Sequence, residues 1–154
     1  MLSDKTCIVT GGGQGIGEAV AKELAAAGAN VVVNDLGTSL SGEGETAEPA
    51  AETVRDIEDA GGTAVSHFGD VSSFDYTERL VRDTVAEFGR VDGAVNFAGI
   101  LRDSISYKMD EDEWDQVVNV HLKGHFSLFR NLGKHWRDRA REEGGELDQS
   151  RSFV

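Results

Sequence analysis

A glycine-rich run at residues 10–17 has the residue types and the spacing to hold a phosphate group. It reads T-G-G-G-Q-G-I-G, follows the β-branched run Ile8 to Thr10 and precedes a helical pattern. Backbone amides and the positive end of a helix dipole meet at such a junction and can bind a pyrophosphate. Glycines there permit a tight turn and a close approach of the backbone to a ligand. The sequence therefore predicts a pyrophosphate-binding loop.

Other phosphate and nucleotide chemistries fit this loop less well. A strict G-x-G-x-x-G fits in no register, and no Lys follows the last glycine as a P-loop requires. P-loop phosphotransfer is therefore excluded. A methyltransferase would usually carry an acidic residue before the glycines, where this chain has Ile8-Val9-Thr10.

An acidic residue stands where a dinucleotide ribose would need one. Asp35 lies 18 residues after Gly17, at the end of the second β-branched run. A carboxylate at that place can accept hydrogen bonds from the adenosine ribose hydroxyls. It would repel a 2′-phosphate, and the surrounding run Asn34 to Gly37 contains no Arg or Lys. The sequence predicts NAD as the cofactor rather than NADP.

Strands and helices that alternate along the chain would bring these residues into position. Short β-branched runs predict strands at 5–10, 30–35, 63–68 and 91–97, and helical periodicity fills the gaps between them. Helix starts are expected at Pro49, at Ser72 with Asp75, and at Asp110 with Glu113. The alternation predicts an α/β fold with a parallel sheet.

The whole chain, residues 1–154, is predicted to be a single domain. Residues 36–48, rich in Gly, Ser, Thr and Glu, are expected to form a mobile surface loop, and residues 141–151 a polar loop. Ser152 to Val154 then resembles the start of a fifth strand.

The assembled motifs resemble the short-chain dehydrogenase/reductase family. T-G-x-x-x-G-x-G falls at 10–17, Asp70-Val71 matches the family's adenine-contacting pair, and Asn96 to Gly99 is similar to its N-N-A-G, with Phe97 replacing the second Asn. Asn119-Val120 falls where the family has its helical active-site Asn. Among family members, the motifs are most similar to the 3-hydroxyacyl-CoA dehydrogenase domain of multifunctional enzymes and to 3-oxoacyl reductases.

The resemblance implies a Rossmann-type doubly wound sheet in strand order 3-2-1-4, truncated at the fifth strand. It also implies hydride transfer between NAD(H) and a hydroxyacyl or oxoacyl substrate, with Asn119 as a catalytic residue. The residues that it assigns to the cofactor are Gly11, Gln14, Gly15, Ile16, Gly17, Asp35, Asp70, Val71, Asn96, Ala98 and Gly99.

The family's acid/base pair is missing from this sequence. Such enzymes use a Tyr with a Lys four residues on, together with a Ser. Tyr76 is followed at that spacing by Leu80, and Tyr107 by Glu111. The chain is therefore interpreted as the first half of an oxidoreductase that stops before its Ser and Tyr-x-x-x-Lys. The alternative is a non-catalytic nucleotide-binding or interaction module.

Two histidines four residues apart, His121 and His125, could in principle share a metal ion. Leu122 stands where H-E-x-x-H has its Glu, and no third ligand is evident. The sequence therefore predicts no metal site, with both side chains at the edge of a helix packing face.

Composition limits the partners of the chain. With 28 acidic and 15 basic residues, the net charge of −13 opposes binding to nucleic acid. Apolar stretches are too short to span a membrane, and the one cysteine, Cys7, cannot form an internal disulfide. The chain is expected to be cytoplasmic. The resemblance implies a small-molecule substrate and a homo-oligomer formed through the long helix that begins at about residue 111.

Overall fold

A computed structural model of the chain describes residues 1–39, 41–144 and 150–154. Its sheet has five parallel strands in the order β3-β2-β1-β4-β5, so the predicted order 3-2-1-4 is confirmed, with the fifth strand added beside β4. The strands are β1 (Thr6–Thr10), β2 (Asn30–Asp35), β3 (Thr63–Phe68), β4 (Gly93–Asn96) and β5 (Ser152–Phe153). The chain therefore has the parallel α/β sheet that the alternating pattern predicts and the Rossmann-type strand order that the resemblance implies.

Helices cover both faces of this sheet. They are α1 (Gly15–Ala26), α2 (Glu48–Asp59), α3 (Phe74–Phe88), α4 (Glu111–Val118) and α5 (Gly124–Glu142). A π-helical segment, Asn119–Lys123, joins α4 to α5. In the described parts of the chain, no helix is both long and apolar enough to cross a membrane.

The central strands are apolar on both sides because helices bury both faces of the sheet. On one face, Ile8 and Val32 pack with Leu80 of α3 and with Leu128 and Leu132 of α5. On the other face, the neighbouring residues of the same strands pack with α1 and α2; that cluster includes Val9, Val31, Val33, Ala21 and Ile57. The period-2 alternation of side chains along each strand thus separates two cores.

Helix α1 packs on the sheet through small residues. Its buried positions are Gly17, Ala21 and Ala25, whereas Ile16, which recurs with Val20 and Leu24 at helical spacing in the sequence, is 70% exposed. A Cβ atom at Gly17 would overlap the carbonyl oxygen of Gly11. The helix can therefore lie this close to the first loop only because position 17 has no side chain.

Of the helix starts predicted at Ser72 with Asp75 and at Asp110 with Glu113, the second is confirmed and the first is wrong. The side chain of Asp110 accepts a hydrogen bond from the N–H of Glu113, and the carboxylate of Glu113 accepts one from the N–H of Asp110, which completes the capping box of α4. Helix α3 is capped by Ser73 rather than Ser72. The hydroxyl of Ser72 instead donates to Asp70, so it is not available as a cap.

The predicted loops differ from the structure at their ends. Of residues 36–48, Glu48 already belongs to α2, and Leu40 lies outside the described residues. Of residues 141–151, Arg141 and Glu142 complete α5, and residues 145–149 lie outside the described residues.

Candidate cofactor site

A cleft of about 520 Å³ opens at the carboxyl ends of the strands. Residues that follow β1, β2, β3 and β4 all contribute to its lining. In an open parallel sheet, ligands bind outside the carboxyl ends of the strands, where the strand order reverses. Of the predicted site residues, those that line this cleft are Gly11, Gln14, Gly15, Ile16, Gly17, Asp35, Asp70, Val71, Ala98, Gly99 and Asn119.

Two glycines of the first loop have a backbone conformation that side chains rarely adopt. Gly11 has φ of +61° and Gly15 has φ of +59°. A Cβ atom at Gly11 would lie 2.7 Å from the backbone nitrogen of Ala98, whereas a Cβ at Gly15 would meet no atom within 4 Å. Gly11 therefore allows the first loop to contact the loop after β4, and Gly15 leaves open space at the beginning of α1.

Asp35 lies at the end of β2 and is only 7% exposed. The N–H of Gly13 donates to its Oδ2 at 2.7 Å, and the N–H of Gly37 donates to its Oδ1 at 2.7 Å. Each oxygen has one backbone donor and can accept further bonds. Asp35 thus holds the glycine loop in place and presents a carboxylate to the cleft.

A second acidic residue is linked to Asn119 through a serine. Asp70 accepts hydrogen bonds from Ser72, at 2.8 Å from the backbone N–H and at 2.7 Å from the hydroxyl. The amide of Asn119 donates to the same hydroxyl at 3.0 Å. Since Asn119 is the first residue of the π-helical segment, this chain of contacts fixes the segment to the loop after β3.

Asn96 is the one predicted site residue that does not line the cleft. It is 8% exposed, its carboxamide oxygen accepts a hydrogen bond from the hydroxyl of Thr10, and its amide nitrogen lies 2.7 Å from Nδ1 of His125. Its side chain therefore joins β1, β4 and α5 beneath the cleft.

Sequence reasoning missed part of the lining. Thr38, Ser39 and Gly42 belong to the segment predicted as a mobile surface loop, yet they line the cleft. The amide of Gln14 donates to the carbonyl oxygen of Thr38 at 3.1 Å, which ties this segment to the glycine loop. A polar, glycine-rich composition gives no signal of which loops fold back over a site.

Neither tyrosine is placed for acid/base work at the cleft. The hydroxyl of Tyr76 accepts a hydrogen bond from the amide of Asn34 at 2.7 Å, and burial raises the pKa of this phenol above its ordinary value. Tyr107 is 81% exposed. Among the described residues, no group of His, Cys, Asp and Glu is arranged to hold a metal ion.

Together, the sheet order and the cleft at the reversal of that order define a Rossmann-type α/β domain. The model of the short chain dehydrogenase family matches residues 5–146, and the chain belongs to that family.

Similar proteins come from several organisms. The chain is 45% identical over 138 residues to peroxisomal multifunctional enzyme A of Dictyostelium discoideum, covering 90% of this chain and 31% of that protein. It is 42% identical over 147 residues to hydroxyacyl-CoA dehydrogenase ChsB1 of Mycobacterium tuberculosis, covering 95% and 45%.

A solved short chain dehydrogenase from Mycobacterium avium superposes with a TM-score of 0.87 at 40% identity, covering 98% of this chain and 52% of that one. The chain thus spans about half, or less, of the length of these three relatives.

Proposed function

We propose that the cleft binds NAD(H) and that the chain is the cofactor-binding part of a dehydrogenase of this family. The observation that carries the proposal is the convergence of an open glycine loop at the start of α1 with a buried carboxylate at the end of β2. The amides of the first helical turn lack partners within the helix and would hold the pyrophosphate. Asp35 would accept hydrogen bonds from the ribose hydroxyls, and Asp70 with Val71 would contact the adenine.

The choice of NAD over NADP rests on charge. The described residues that line the cleft include two carboxylates, Asp35 and Asp70, and neither Lys nor Arg. A 2′-phosphate near Asp35 would meet like charge without a compensating cation. We therefore expect NADH to bind at least about tenfold more tightly than NADPH, which corresponds to about 1.4 kcal/mol.

For the reaction, we propose hydride transfer between NAD(H) and a hydroxyacyl or oxoacyl substrate. Hydride chemistry would be supplied by the nicotinamide of the bound cofactor. This chain's own residues would bind and orient the dinucleotide, and Asn119, which lines the cleft, would act as a catalytic residue in the complete site. The substrate class rests on the names of the relatives, a multifunctional enzyme and a hydroxyacyl-CoA dehydrogenase.

Calorimetric titration of the purified chain with NADH and with NADPH tests the cofactor proposal directly. Tighter binding of NADH supports it, equal affinities would remove the assigned role of Asp35, and binding of neither nucleotide would overturn it. In that last case the interaction-module alternative becomes the better interpretation.

A small-molecule substrate and self-association through the long helix are parts of the same proposal. A cytoplasmic location is also part of the proposal. Some of the similar proteins are peroxisomal enzymes, and cell fractionation would distinguish the two compartments.

A further inference from the structure

Two histidines that the cofactor proposal leaves unused contact the same short stretch of the cleft wall. We call residues 96–100, from the end of β4 to Ile100, the wall segment. Its last four residues line the cleft. His121, in the π-helical segment, lies 3.1 Å from the backbone nitrogen of Ile100 through Nε2. His125, at the beginning of α5, lies 2.7 Å from the amide nitrogen of Asn96 through Nδ1. The two rings therefore reach opposite ends of the wall segment.

The ring of His121 lies directly against Gly99, where a Cβ atom would come within 2.6 Å of Cε1. Its Nε2 is also 2.9 Å from the carbonyl oxygen of Ile100. One ring nitrogen can accept from the N–H or donate to the carbonyl, but not both at once. Ile100 is 9% exposed, and a buried N–H without an acceptor is costly. We therefore assign Nε2 of His121 as the acceptor, with the proton on Nδ1.

For His125, a directed series of hydrogen bonds favours the opposite tautomer. The N–H of Ala98 donates to Oγ1 of Thr10 at 3.4 Å, and the hydroxyl of Thr10 donates to the carboxamide oxygen of Asn96. The amide nitrogen of Asn96 then faces His125 and can only donate. Nδ1 of His125 also lies 2.7 Å from the carbonyl oxygen of His121, but it must be unprotonated to accept from Asn96. Its proton is therefore on Nε2.

We propose that His121 and His125 are positioning residues that hold the two ends of the wall segment in opposite tautomers. They keep the backbone of Phe97 to Gly99 in the shape of the cleft before a ligand arrives. The consequence for NADH binding rests on the proposed function, whereas the hydrogen bonds themselves do not.

Substitution of each histidine by Gln or Asn tests which ring nitrogen makes the hydrogen bond to the wall segment. Gln places a polar atom near the position of Nε2, and Asn places one near Nδ1. His121→Gln should keep the slow hydrogen exchange of the Ile100 amide, and His121→Asn should accelerate it. His125→Asn should keep the solvent exchange of the Asn96 side-chain amide protons as slow as in wild type, and His125→Gln should accelerate it. His135, elsewhere on α5 and not in contact with the wall segment, is the matched control with both substitutions.

NADH affinity should follow the same pattern. We expect dissociation constants about three- to tenfold higher for His121→Asn and His125→Gln, the range of one lost hydrogen bond. We expect values within about twofold of wild type for His121→Gln, His125→Asn and both control variants. Equal affinities across all the His121 and His125 variants would overturn the positioning role.

A long-range proton–nitrogen NMR spectrum of the wild-type protein reports which ring nitrogen of each histidine carries the proton. This measurement does not depend on the folding of a variant. It should show His121 protonated at Nδ1 and His125 protonated at Nε2. The same tautomer in both rings, or equal Ile100 exchange in both His121 variants and wild type, would overturn the inference. Failure of the wild-type chain to bind NADH would overturn the proposed function, and the tautomers and the exchange rates would still decide whether the histidines hold the wall segment.

Discussion

Residues of the cleft act in two ways: some determine its shape, and others face the space in which a ligand would bind. Gly11 and Gly17 shape it, because a side chain at either position would collide with neighbouring backbone. Gly15 faces the open space instead, and Asp35 does both, because it holds the glycine loop and also lines the cleft. Substitutions at Gly11 or Gly17 should therefore distort the loop, whereas substitutions at Gly15 or Asp35 should weaken binding of a ligand.

Asp35→Ala should weaken NADH binding by about 1–3 kcal/mol, the scale of lost hydrogen bonds to a charged acceptor. The carboxylate would no longer serve the ribose, and the N–H groups of Gly13 and Gly37 would lose their acceptor. Asp59→Ala is the matched control, since it removes the same charge from an exposed position at the end of α2. Calorimetry should find the control close to wild type. Unchanged affinity in Asp35→Ala would remove Asp35 from the site.

Gly15→Val should abolish measurable NADH binding, because a branched side chain would fill the space where a pyrophosphate approaches the beginning of α1. Gly44 is a matched control: its φ of +78° is also left-handed, and a Cβ there also meets no atom within 4 Å. Both substitutions should cost about 1–2 kcal/mol of stability from backbone strain. Only Gly15→Val should lose the cofactor. Retained NADH binding in that variant would mean that the loop does not hold phosphate.

At the scale of elements, one buried acidic residue links three strands at their amino-terminal ends, which is the end of the sheet opposite the cleft. Asp92, just before β4, accepts a hydrogen bond from the N–H of Thr6 in β1 at 3.0 Å. It pairs with Arg90 at 2.6 Å and with Arg151, beside β5, at 3.1 Å. Burial opposes ionisation of Asp92, but Arg90, the N–H of Thr6 and Arg151 offset it, so the pKa lies below its ordinary value.

Asp92→Asn should therefore lower the free energy of unfolding by about 3 kcal/mol at neutral pH, as when one partner of a buried ion pair is lost. Since the folded-state pKa is lowered, the contribution is present above the ordinary Asp value of about 4 and is lost as pH falls through the folded-state pKa. Denaturant unfolding should show the gap to wild type shrinking from pH 7 toward pH 3. Asp138→Asn, in an exposed pair with Lys134, should change little. A gap that stays constant with pH would contradict the assignment.

Elements were predictable where the apolar pattern was carried by large or branched side chains. The four strands follow from such apolar signals, and the capping box of α4 follows from the spacing of Asp110 and Glu113. The buried face of α1 could not be predicted in this way. Gly17, Ala21 and Ala25 give little hydrophobic signal, although the close packing of α1 on the sheet requires small residues at these positions. The π-helical segment and the folded-back loop at Thr38 depend on tertiary contacts such as those of Asn119 and Gln14. Local sequence does not encode those contacts.

At the scale of the whole molecule, the 154-residue chain should bind NADH without turning over a hydroxyacyl-CoA. Hydride transfer needs a proton acceptor of suitable pKa. Burial raises the pKa of Tyr76 above its ordinary value, and Tyr107 has Glu111 where the family has its Lys. Absorbance of NADH, followed with the purified chain, NAD and a 3-hydroxyacyl-CoA, should stay flat. Steady NADH production would contradict this expectation and assign the chemistry to residues not recognised in the cleft.

The long helix carries an apolar stripe that the domain itself does not bury. Trp114, Leu122, Phe126 and Phe129 are each more than half exposed, whereas Leu128 and Leu132 are fully buried. The sequence pattern could not separate these two groups, because apolar residues mark a partner surface as well as a core. Self-association through the stripe would bury it, and the net charge of −13 would oppose that association at low ionic strength.

Raising the salt concentration should therefore favour a dimer. Screening shortens the Debye length from about 30 Å at 0.01 M to about 10 Å at 0.1 M, which weakens the repulsion between two acidic copies and leaves apolar burial intact. Light scattering across a salt series should show the mass rising toward twice that of the monomer. Leu122→Asp should prevent the rise, and Ile105→Asp, which adds the same charge at a position 55% exposed outside the helix, should not. A monomer at every salt concentration, or equal effects of the two variants, would show that the stripe does not bind a second copy.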